Sequence, residues 1–402
     1  MASEHVHPPI VAVALDGAGW HPAAWREDRA RPEALTDGAY WVDLTRRAEA
    51  GVVDLVTFED SFGVPADPRD DPSGERTDRV RVRLDAELVA ARVAPATTHV
   101  GLVPVVTTIH TEPFHVSKAL ATLDHTSRGR AGWQVRVSGL TNDAALTGRR
   151  DFPDLTFADY LAGRGLDEIA ERFDEAGAFV ETVRALWDSW EDDAEIRDAE
   201  TRRFIDRDKV HRVDVETPWF SVRGPSITPR SPQGQPVVTA LAHATVPYEL
   251  AARSADVVFV TPLDDGASIL AEVRAAQERV GRPGEPLRVV ADLAVVLDTA
   301  EETGAARLAR LDDRAGEWTT DARIVTGSAA QVADVVEAWT ALGYDGVRFR
   351  PAVLPDDLDT LVADVLPELR RRGLARSAYD ATSLRGLLHL PTPIPSRFAA
   401  AV

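Results

Sequence analysis

Polar side chains that could bind a ligand or transfer a proton follow two of the apolar segments of the chain. Asp60 comes directly after segment 52–59, Thr107 ends segment 99–107, and His110 lies three residues further on. Each of these residues also has an ordinary structural interpretation. Asp60 would cap the loop that follows it, Thr107 would bond to the main chain, and His110 would be a solvated loop residue. The residue types alone therefore leave a binding site and a scaffold role open.

The elements that must position these residues are short β-branched segments, which alternate with alanine- and leucine-rich helical patterns. Eight such units with continuous apolar strands predict an α/β fold, a (β/α)8 TIM barrel, rather than a doubly wound sheet. Ligand-binding residues of such a barrel lie at the carboxyl ends of its strands. The predicted strands are 10–15, 52–59, 99–107, 133–138, 236–242, 256–261, 287–297 and 346–351, and the predicted helices are 36–50, 83–94, 113–127, 166–190, 247–254, 266–280, 328–342 and 356–372.

The chain has 402 residues, more than the roughly 250 that such a barrel needs. We therefore expect a single domain over 1–402 with insertions near 60–82, 139–165 and 191–235. The tail 374–402 has little helical pattern, and we expect it to pack across the barrel or against a partner.

Gln134, Arg136 and Ser138 share one face of the fourth predicted strand, because side chains alternate between the two faces of a strand. The second and fourth strands fill the same interior layer of a barrel of this type. An unpaired arginine there would be costly, so we expect Arg136 to form an ion pair with Glu59 or Asp60 inside the mouth of the barrel.

The stretch ALATLDHTSRGRAGW (119–133) joins the third predicted helix to the fourth strand. Gly129 is expected to end the helix, since glycine accepts the backbone conformation found there. Asp124 is expected to pair with Arg128 or Arg130 and so to hold the turn. Most of this stretch is therefore interpreted as scaffold for the strand that follows.

Composition and motifs exclude several classes of function. A formal net charge of −20 argues against a nucleic-acid partner. The absence of cysteine excludes disulfides and thiolate sites, and the ten histidines form no HExxH motif, so no metal site is expected. GxGxxG, P-loop and GxSxG motifs are also absent. No signal peptide and no membrane-spanning stretch is evident, which predicts a cytoplasmic protein without a membrane partner.

Several blocks of sequence resemble one family in order and in content. They are FEDS (58–61), VTTIHTEPFHVSKALATLDHTSRGRAGW (106–133), RFDEAGAFVETVRALWDSW (172–190), WFSVRGP (219–225) with SPQGQPVV (231–238), and VLPELRRRGLARSAYDATSLRGLL (365–388). Together they resemble the luciferase-like flavin-dependent monooxygenases, in the nitrilotriacetate and dibenzothiophene-sulfone monooxygenase branch. The resemblance covers nearly the whole chain.

This resemblance implies a bacterial luciferase-like barrel and a two-component reaction. A separate flavin reductase would supply reduced FMN, and O2 would be the co-substrate in the oxygenation of a small organic substrate. A homodimer or a larger homo-oligomer would be the assembly, as is common in the family.

The resemblance also implies site residues. Asp60 matches a family aspartate that contacts the flavin, and Thr107 matches a family serine or threonine beside the isoalloxazine ring. His110 is a weak candidate to face the substrate. The expected cofactor-binding residues are Asp60, Thr107, Gln134, Ser138, His243 and Thr245.

Two family patterns that contribute to FMN binding are altered in this chain. A His-Asp-x-Arg-Tyr pattern reads Ile169-Ala170-Glu171-Arg172-Phe173, and a Gln-Ala-Gly-x-Ser-x-x-Gly pattern reads Ala240-Leu241-Ala242-His243-Ala244-Thr245-Val246-Pro247. Family members also have Asn where Gln134 stands and an aliphatic residue where Arg136 stands. A hydrogen bond to a charged group contributes about 1.5–3 kcal/mol, so losing two or three would weaken FMN binding by roughly 10³-fold or more.

Two hypotheses follow from these patterns. The first is an active FMN-dependent monooxygenase whose phosphate-binding site is altered. It is favoured because the chain retains Asp60, Thr107 and the loops on the substrate side. The second is a catalytically silent homologue with a degenerate flavin site, which serves as a binding module or as the subunit of a partner. A deazaflavin-dependent barrel oxidoreductase fits the ordered blocks less well.

Overall fold

Eight parallel strands close into a barrel in the computed structural model, which describes residues 7–64, 75–138, 141–148 and 164–399. The predicted (β/α)8 fold is confirmed. Each strand pairs with the next along the chain, and the eighth returns to the first. The strands are β1 Ile10–Leu15, β2 Leu55–Phe58, β3 Gly101–Thr107, β4 Gly132–Arg136, β5 Val237–Leu241, β6 Val257–Val260, β7 Arg288–Leu297 and β8 Gly346–Pro351.

Helices cover the outside of the barrel, and those other than α7 lie close to predicted positions. They are α1 Gly38–Ala50, α2 Ala86–Val93, α3 Pro113–Ser127, α4 Leu166–Trp187, α5 Thr245–Ser254, α6 Gly266–Val280, α7 Gly304–Ala315 and α8 Ala329–Leu342. Shorter helices are Thr141–Thr147, Asp356–Thr360, Leu366–Arg371 and Leu384–Leu387. In the described part of the chain, no helix has the length and apolarity needed to cross a membrane.

Alternation along the strands divides their side chains into two cores. One set, which includes Val11, Val13, Val56 and Phe58, packs outward against the helices. The other set fills the lower interior of the barrel: Ile10, Ala12, Leu55, Val103, Val237, Val257, Phe259 and Val290. The carboxyl end of the barrel is the end left for polar groups.

The C-terminal tail closes the amino end of the barrel. Leu384 and Leu388 belong to the same buried cluster as the interior strand residues. Gly132, at the start of β4, leaves the space that this contact needs, because a Cβ there would lie 2.9 Å from Val103 Cγ2 and 3.0 Å from Leu384 Cδ2. Part of the tail therefore packs across the barrel.

The sequence did not predict helix α7, the strand Arg323–Gly327 or the small strands within the insertion at 191–235. The strand Arg323–Gly327 pairs with the second half of β7, outside the closed barrel. Two antiparallel hairpins, Glu195–Asp198 with Arg203–Ile205 and Asp214–Glu216 with Ser221–Arg223, lie in the insertion. Strands of three to five residues carry too few alternating positions to show a period.

The predicted pairing of Asp124 with Arg128 or Arg130 is wrong. Asp124 Oδ1 accepts a hydrogen bond from Gln233 Nε2 at 2.7 Å. Arg130 instead donates to main-chain carbonyls, among them Val100 O at 2.8 Å. Helix α3 ends before Gly129, because Arg128 already takes the left-handed conformation with φ +60°.

Candidate functional site

Four neighbouring strands bring most of the expected site residues to one arc of the carboxyl rim. Strands β2, β3, β4 and β5 are consecutive in the sheet. Asp60 lies two residues past β2, Thr107 ends β3, and Ser138 lies two residues past β4. His243 and Thr245 follow β5, with Thr245 as the first residue of α5.

Gln134 lies below this rim, in a layer of buried charges that the sequence did not indicate. Its Oε1 accepts a hydrogen bond from Arg348 Nη1 at 2.6 Å. Arg348 also donates twice to Asp292, at 2.7 and 2.6 Å. Arg350 donates to Asp292 Oδ2 at 2.8 Å and to Asp321 Oδ1 at 2.6 Å. Two cations and two anions thus form a neutral, hydrogen-bonded layer across the barrel.

Arg350 and Asp321 of this layer keep their charges despite their burial. The Arg348 guanidinium lies 3.8 Å from the centre of the Phe259 ring, a favourable cation–π contact. Burial by itself would raise the pKa of Asp321, but the charge and hydrogen bond of Arg350 outweigh it and hold that pKa well below its usual range. Burial would lower the pKa of Arg350, and Asp292 and Asp321 reverse the shift. The layer is a stable floor for the mouth above it.

His243 connects this floor to the rim. Its Nε2 lies 3.3 Å from Asp321 Oδ2, and its Nδ1 lies 3.0 Å from Thr261 Oγ1. Its side chain is 46% exposed, so it also faces solvent at the mouth. The neighbouring helix α5 starts at Thr245 and has Pro247 in its first turn, where proline supplies no N–H.

Arg172 is a site candidate that the sequence analysis passed over. Helices α4 and α5 run side by side, with Gly177 next to Leu250 and Arg184 donating to Ser254 O at 3.1 Å. Both helices run in the same direction, so Arg172, five residues before Gly177, lies toward the end of α4 that is nearer the start of α5. Arg172 is buried, and it is the one residue of the altered His-Asp-x-Arg-Tyr pattern whose polar side chain the chain retains. The presence of this arginine in an otherwise altered pattern could have identified Arg172 from the sequence.

Asp60 has the capping role that the sequence left open. Its Oδ1 accepts from Ser61 N–H at 2.6 Å, and its Oδ2 accepts from Ala86 N–H at 2.9 Å, at the start of α2. Burial raises the pKa of Asp60 and the two N–H groups oppose that shift. A carboxylate has about four acceptor positions, so the two bonds leave room for a ligand.

The predicted ion pair between Arg136 and Glu59 or Asp60 is wrong. Arg136 Nη1 donates to the main-chain carbonyl of Asp60, and no carboxylate within the described residues forms an ion pair with this guanidinium. The sequence analysis correctly expected the Arg136 side chain to point into the barrel toward the end of β2. It did not expect the main-chain oxygen of Asp60 as the acceptor. Burial raises the pKa of Glu59, while Arg348 and, more weakly, Arg83 and Arg136 oppose the shift.

The remaining rim residues differ in how far they are committed to other contacts. Thr107 is only 6% exposed at the end of β3. Ser138 Oγ donates to Asp143 Oδ2 at 2.6 Å, which ties it to the helix Thr141–Thr147. His110 is 4% exposed with its ring 5.8 Å from the Phe62 ring, so the interpretation of a solvated loop histidine is wrong.

The arc therefore offers hydroxyls, carboxylates and one guanidinium above a neutral floor. Such groups can bind a polar ring and an anion. Across the described ranges, no group of three His, Asp or Glu side chains is arranged to hold a metal ion.

A model of the family described as "Luciferase-like monooxygenase" matches residues 20–312. This range holds β2 to β7, and with them the whole arc from Asp60 to Thr245.

Three similar proteins match almost end to end. The chain is 28% identical to N-acetyl-S-(2-succino)cysteine monooxygenase of Bacillus subtilis, over 97% of this chain and 98% of that protein. It is 29% identical to component A of nitrilotriacetate monooxygenase of Aminobacter aminovorans, over 94% and 95%. A crystal structure of riboflavin lyase with modified FMN and the substrate riboflavin superposes with a TM-score of 0.78 at 26% identity, over 96% of this chain and 97% of that one.

Proposed function

Because the chain belongs to the luciferase-like monooxygenase family, we propose that it is the oxygenase component of a two-component, FMN-dependent monooxygenase. A separate flavin reductase would supply reduced FMN, and O2 would be the co-substrate. The observation that carries the proposal is the arc at the carboxyl rim, where Asp60, Thr107 and Arg136 lie together above a closed floor. The substrate would be a small organic molecule that enters from the same rim.

The ring of the cofactor fits the donors and acceptors of this arc. An isoalloxazine presents carbonyl oxygens and N–H groups along one edge. Arg136 retains N–H donors beyond the one bonded to Asp60, and Thr107 has a hydroxyl at the same level. The hydroxyl of Thr239, one layer below, is buried and has no hydrogen-bond partner among the described residues.

The phosphate of the cofactor fits the start of α5. Main-chain N–H groups at a helix N-terminus attract anions. Thr245 adds a hydroxyl, His243 adds an imidazole, and Arg172 on the neighbouring helix α4 adds a buried positive charge. In this proposal Arg172, His243 and Thr245 replace the family's histidine, tyrosine and serine.

Reduced FMN supplies the electrons that activate O2 when it is bound. The chain must then bind and orient the cofactor and the substrate and exclude water from them. Among the described residues, the apolar layer and the ionic layer fill the barrel below the mouth, so solvent would reach the site from the rim. His110, buried beside Phe62, is the candidate to hold or move a proton toward the substrate.

We also propose that the protein acts in the cytoplasm as a homodimer or larger homo-oligomer, in line with its family. The alternative is a catalytically silent homologue that keeps the barrel as a binding module. One observation favours that alternative: Pro247 removes an N–H group from the turn where the phosphate would bind.

An anaerobic equilibrium titration tests the proposal. We expect the purified chain to bind reduced FMN, and to bind FMN more tightly than riboflavin because riboflavin lacks the phosphate. The variant Arg172→Met should lose most of that preference for FMN while its affinity for riboflavin stays the same. The exposed Arg92→Met is the matched control. No binding of oxidised or reduced FMN at millimolar concentration would leave the binding module as the surviving function.

A further inference from the structure

Arginines in and above the barrel differ in how they are neutralised. Arg348 and Arg350 share Asp292 in the floor. Arg83, at the edge of the mouth, pairs with Asp16 at 2.5 Å. Arg136 is the exception among these four, since its described partner is a main-chain carbonyl. A guanidinium that keeps its charge inside a mouth calls for an anion.

The position of Arg136 is fixed by its contact with Asp60. The side chain starts on β4, passes over the end of β3 and reaches the end of β2. Thr107 on β3 is its neighbour in register, and paired residues of parallel strands point to the same face. Arg136 is thus held across the mouth by one N–H group, while a guanidinium has five such donors.

We propose that Arg136 is the anion-binding residue of the mouth and that its ligand is a planar, delocalised anion. This inference rests on the proposed function. The planar fork of a guanidinium matches two acceptor atoms in one plane, which a carboxylate offers and which the N1–C2=O edge of an anionic reduced flavin also offers. The ligand group is the same in both cases, and its source is either the reduced cofactor or the substrate.

The surrounding charges make this cation necessary for such a ligand. The chain carries a net charge of −20, and Asp16 and Glu59 directly follow the carboxyl ends of β1 and β2. The charge of Asp16 is neutralised by Arg83. Glu59 forms no ion pair with Arg136 in the described residues, and its burial favours the uncharged acid. The positive charge of Arg136 is therefore available to a ligand.

Three variants test the assignment. Arg136→Met keeps the length of the side chain and removes its charge, and Arg136→Lys keeps the charge. Arg212→Met, at an exposed residue two positions before the strand Asp214–Glu216, changes net charge by the same amount. The measurements are dissociation constants for oxidised FMN, for reduced FMN, and for succinate added to the protein loaded with oxidised FMN.

If the ligand is the reduced flavin, we expect Arg136→Met to weaken the binding of reduced FMN at least tenfold relative to the binding of oxidised FMN. This change corresponds to about 30 mV in the two-electron potential of the bound flavin. If the ligand is the substrate, we expect Arg136→Met to leave the ratio of the dissociation constants for reduced and oxidised FMN unchanged and to weaken succinate binding at least tenfold. In both cases Arg136→Lys should retain most of the wild-type affinity for the ligand concerned, and Arg212→Met should retain all of it.

The assignment is overturned if Arg136→Met alters neither quantity while oxidised FMN still binds, and in that case the proposed function stands. If the wild-type chain binds no flavin and no succinate, the assignment and the proposed function fail together.

Discussion

The ionic floor of the barrel and the rim above it use arginine in different ways. In the floor, Arg348 and Arg350 are balanced by Asp292 and Asp321 and are shielded from water. At the rim, Arg136 is half-buried and bonds to a carbonyl. Burial with complete pairing is typical of scaffold, because any loss is costly. Partial pairing at the mouth leaves capacity for a ligand. Mutations in the floor should therefore mainly lower stability, and mutations at the rim should mainly weaken ligand binding.

The largest effect is expected in the floor. Asp292→Asn removes the anion that Arg348 and Arg350 share, which leaves buried positive charge uncompensated. We expect the free energy of unfolding in urea to fall by about 3–5 kcal/mol. The double variant Asp292→Asn with Arg348→Met should recover part of this loss, because it removes one of the two cations. A cost below about 1 kcal/mol for the single variant would show that the floor is not held by its charges.

A smaller effect, dependent on pH, is expected from Glu87 in the first turn of α2. Its Oε1 is buried and has no hydrogen-bond partner within the described residues, and burial with the nearby Asp85 and Asp60 raises its pKa to about 8. Between the ordinary pKa near 4.5 and pH 8, the folded state holds a proton that the unfolded state has released. Stability from this group is therefore complete below about pH 4.5 and is lost as the pH rises through 8.

Unfolding measured from pH 5 to pH 9 on wild type and Glu87→Gln isolates this group. We expect the wild type to lose about 1–3 kcal/mol relative to the variant over that range, after allowance for partial exposure. Parallel pH profiles for the two proteins would mean that Glu87 ionises as an ordinary exposed acid.

Two variants of Asp60 should distinguish its role in capping α2 from a role in ligand binding. Asp60→Ala removes the acceptor for Ala86 N–H at the start of α2 and should cost about 1 kcal/mol of stability. Asp60→Asn keeps an acceptor oxygen, so its unfolding free energy should stay within about 0.5 kcal/mol of wild type. If Asp60→Asn nevertheless weakens FMN binding, the carboxylate contacts the flavin; equal FMN affinity would limit Asp60 to capping.

The smallest effect on stability is expected for Arg136→Met at the rim. The guanidinium is half-buried and contributes one hydrogen bond to a carbonyl, so the free energy of unfolding should change by about 0.5–1 kcal/mol at most. Thermal and urea unfolding would measure this change. A loss as large as that of Asp292→Asn would erase the distinction between floor and rim.

The barrel could be predicted from sequence because its strands and helices have strong periods. Predicted and observed limits of α3 and α6 coincide, at 113–127 and 266–280. Helix α7 was missed because its buried face is Gly304, Arg307, Leu311 and Ala315, which includes an arginine and only one large apolar residue. The strand Arg323–Gly327 is too short to show alternation. Periodicity thus finds elements whose buried face is apolar and overlooks one whose buried face holds a charged residue.

The candidate site was predictable only in part. Asp60 and Thr107 stand at strand ends, which a sequence shows directly. The floor was not visible, because alternation puts Arg348 and Arg350 on one face without naming Asp292 as their partner. The contact of Arg136 with a main-chain carbonyl has no sequence signature, since every residue carries a carbonyl.

A crystal structure of the chain with FMN tests the central claim most directly. The account predicts the isoalloxazine at the carboxyl mouth, with one edge next to Thr107 and Arg136 and the phosphate next to Thr245 and Arg172. Flavin bound elsewhere on the barrel, or a mouth without flavin at saturating FMN, would contradict it.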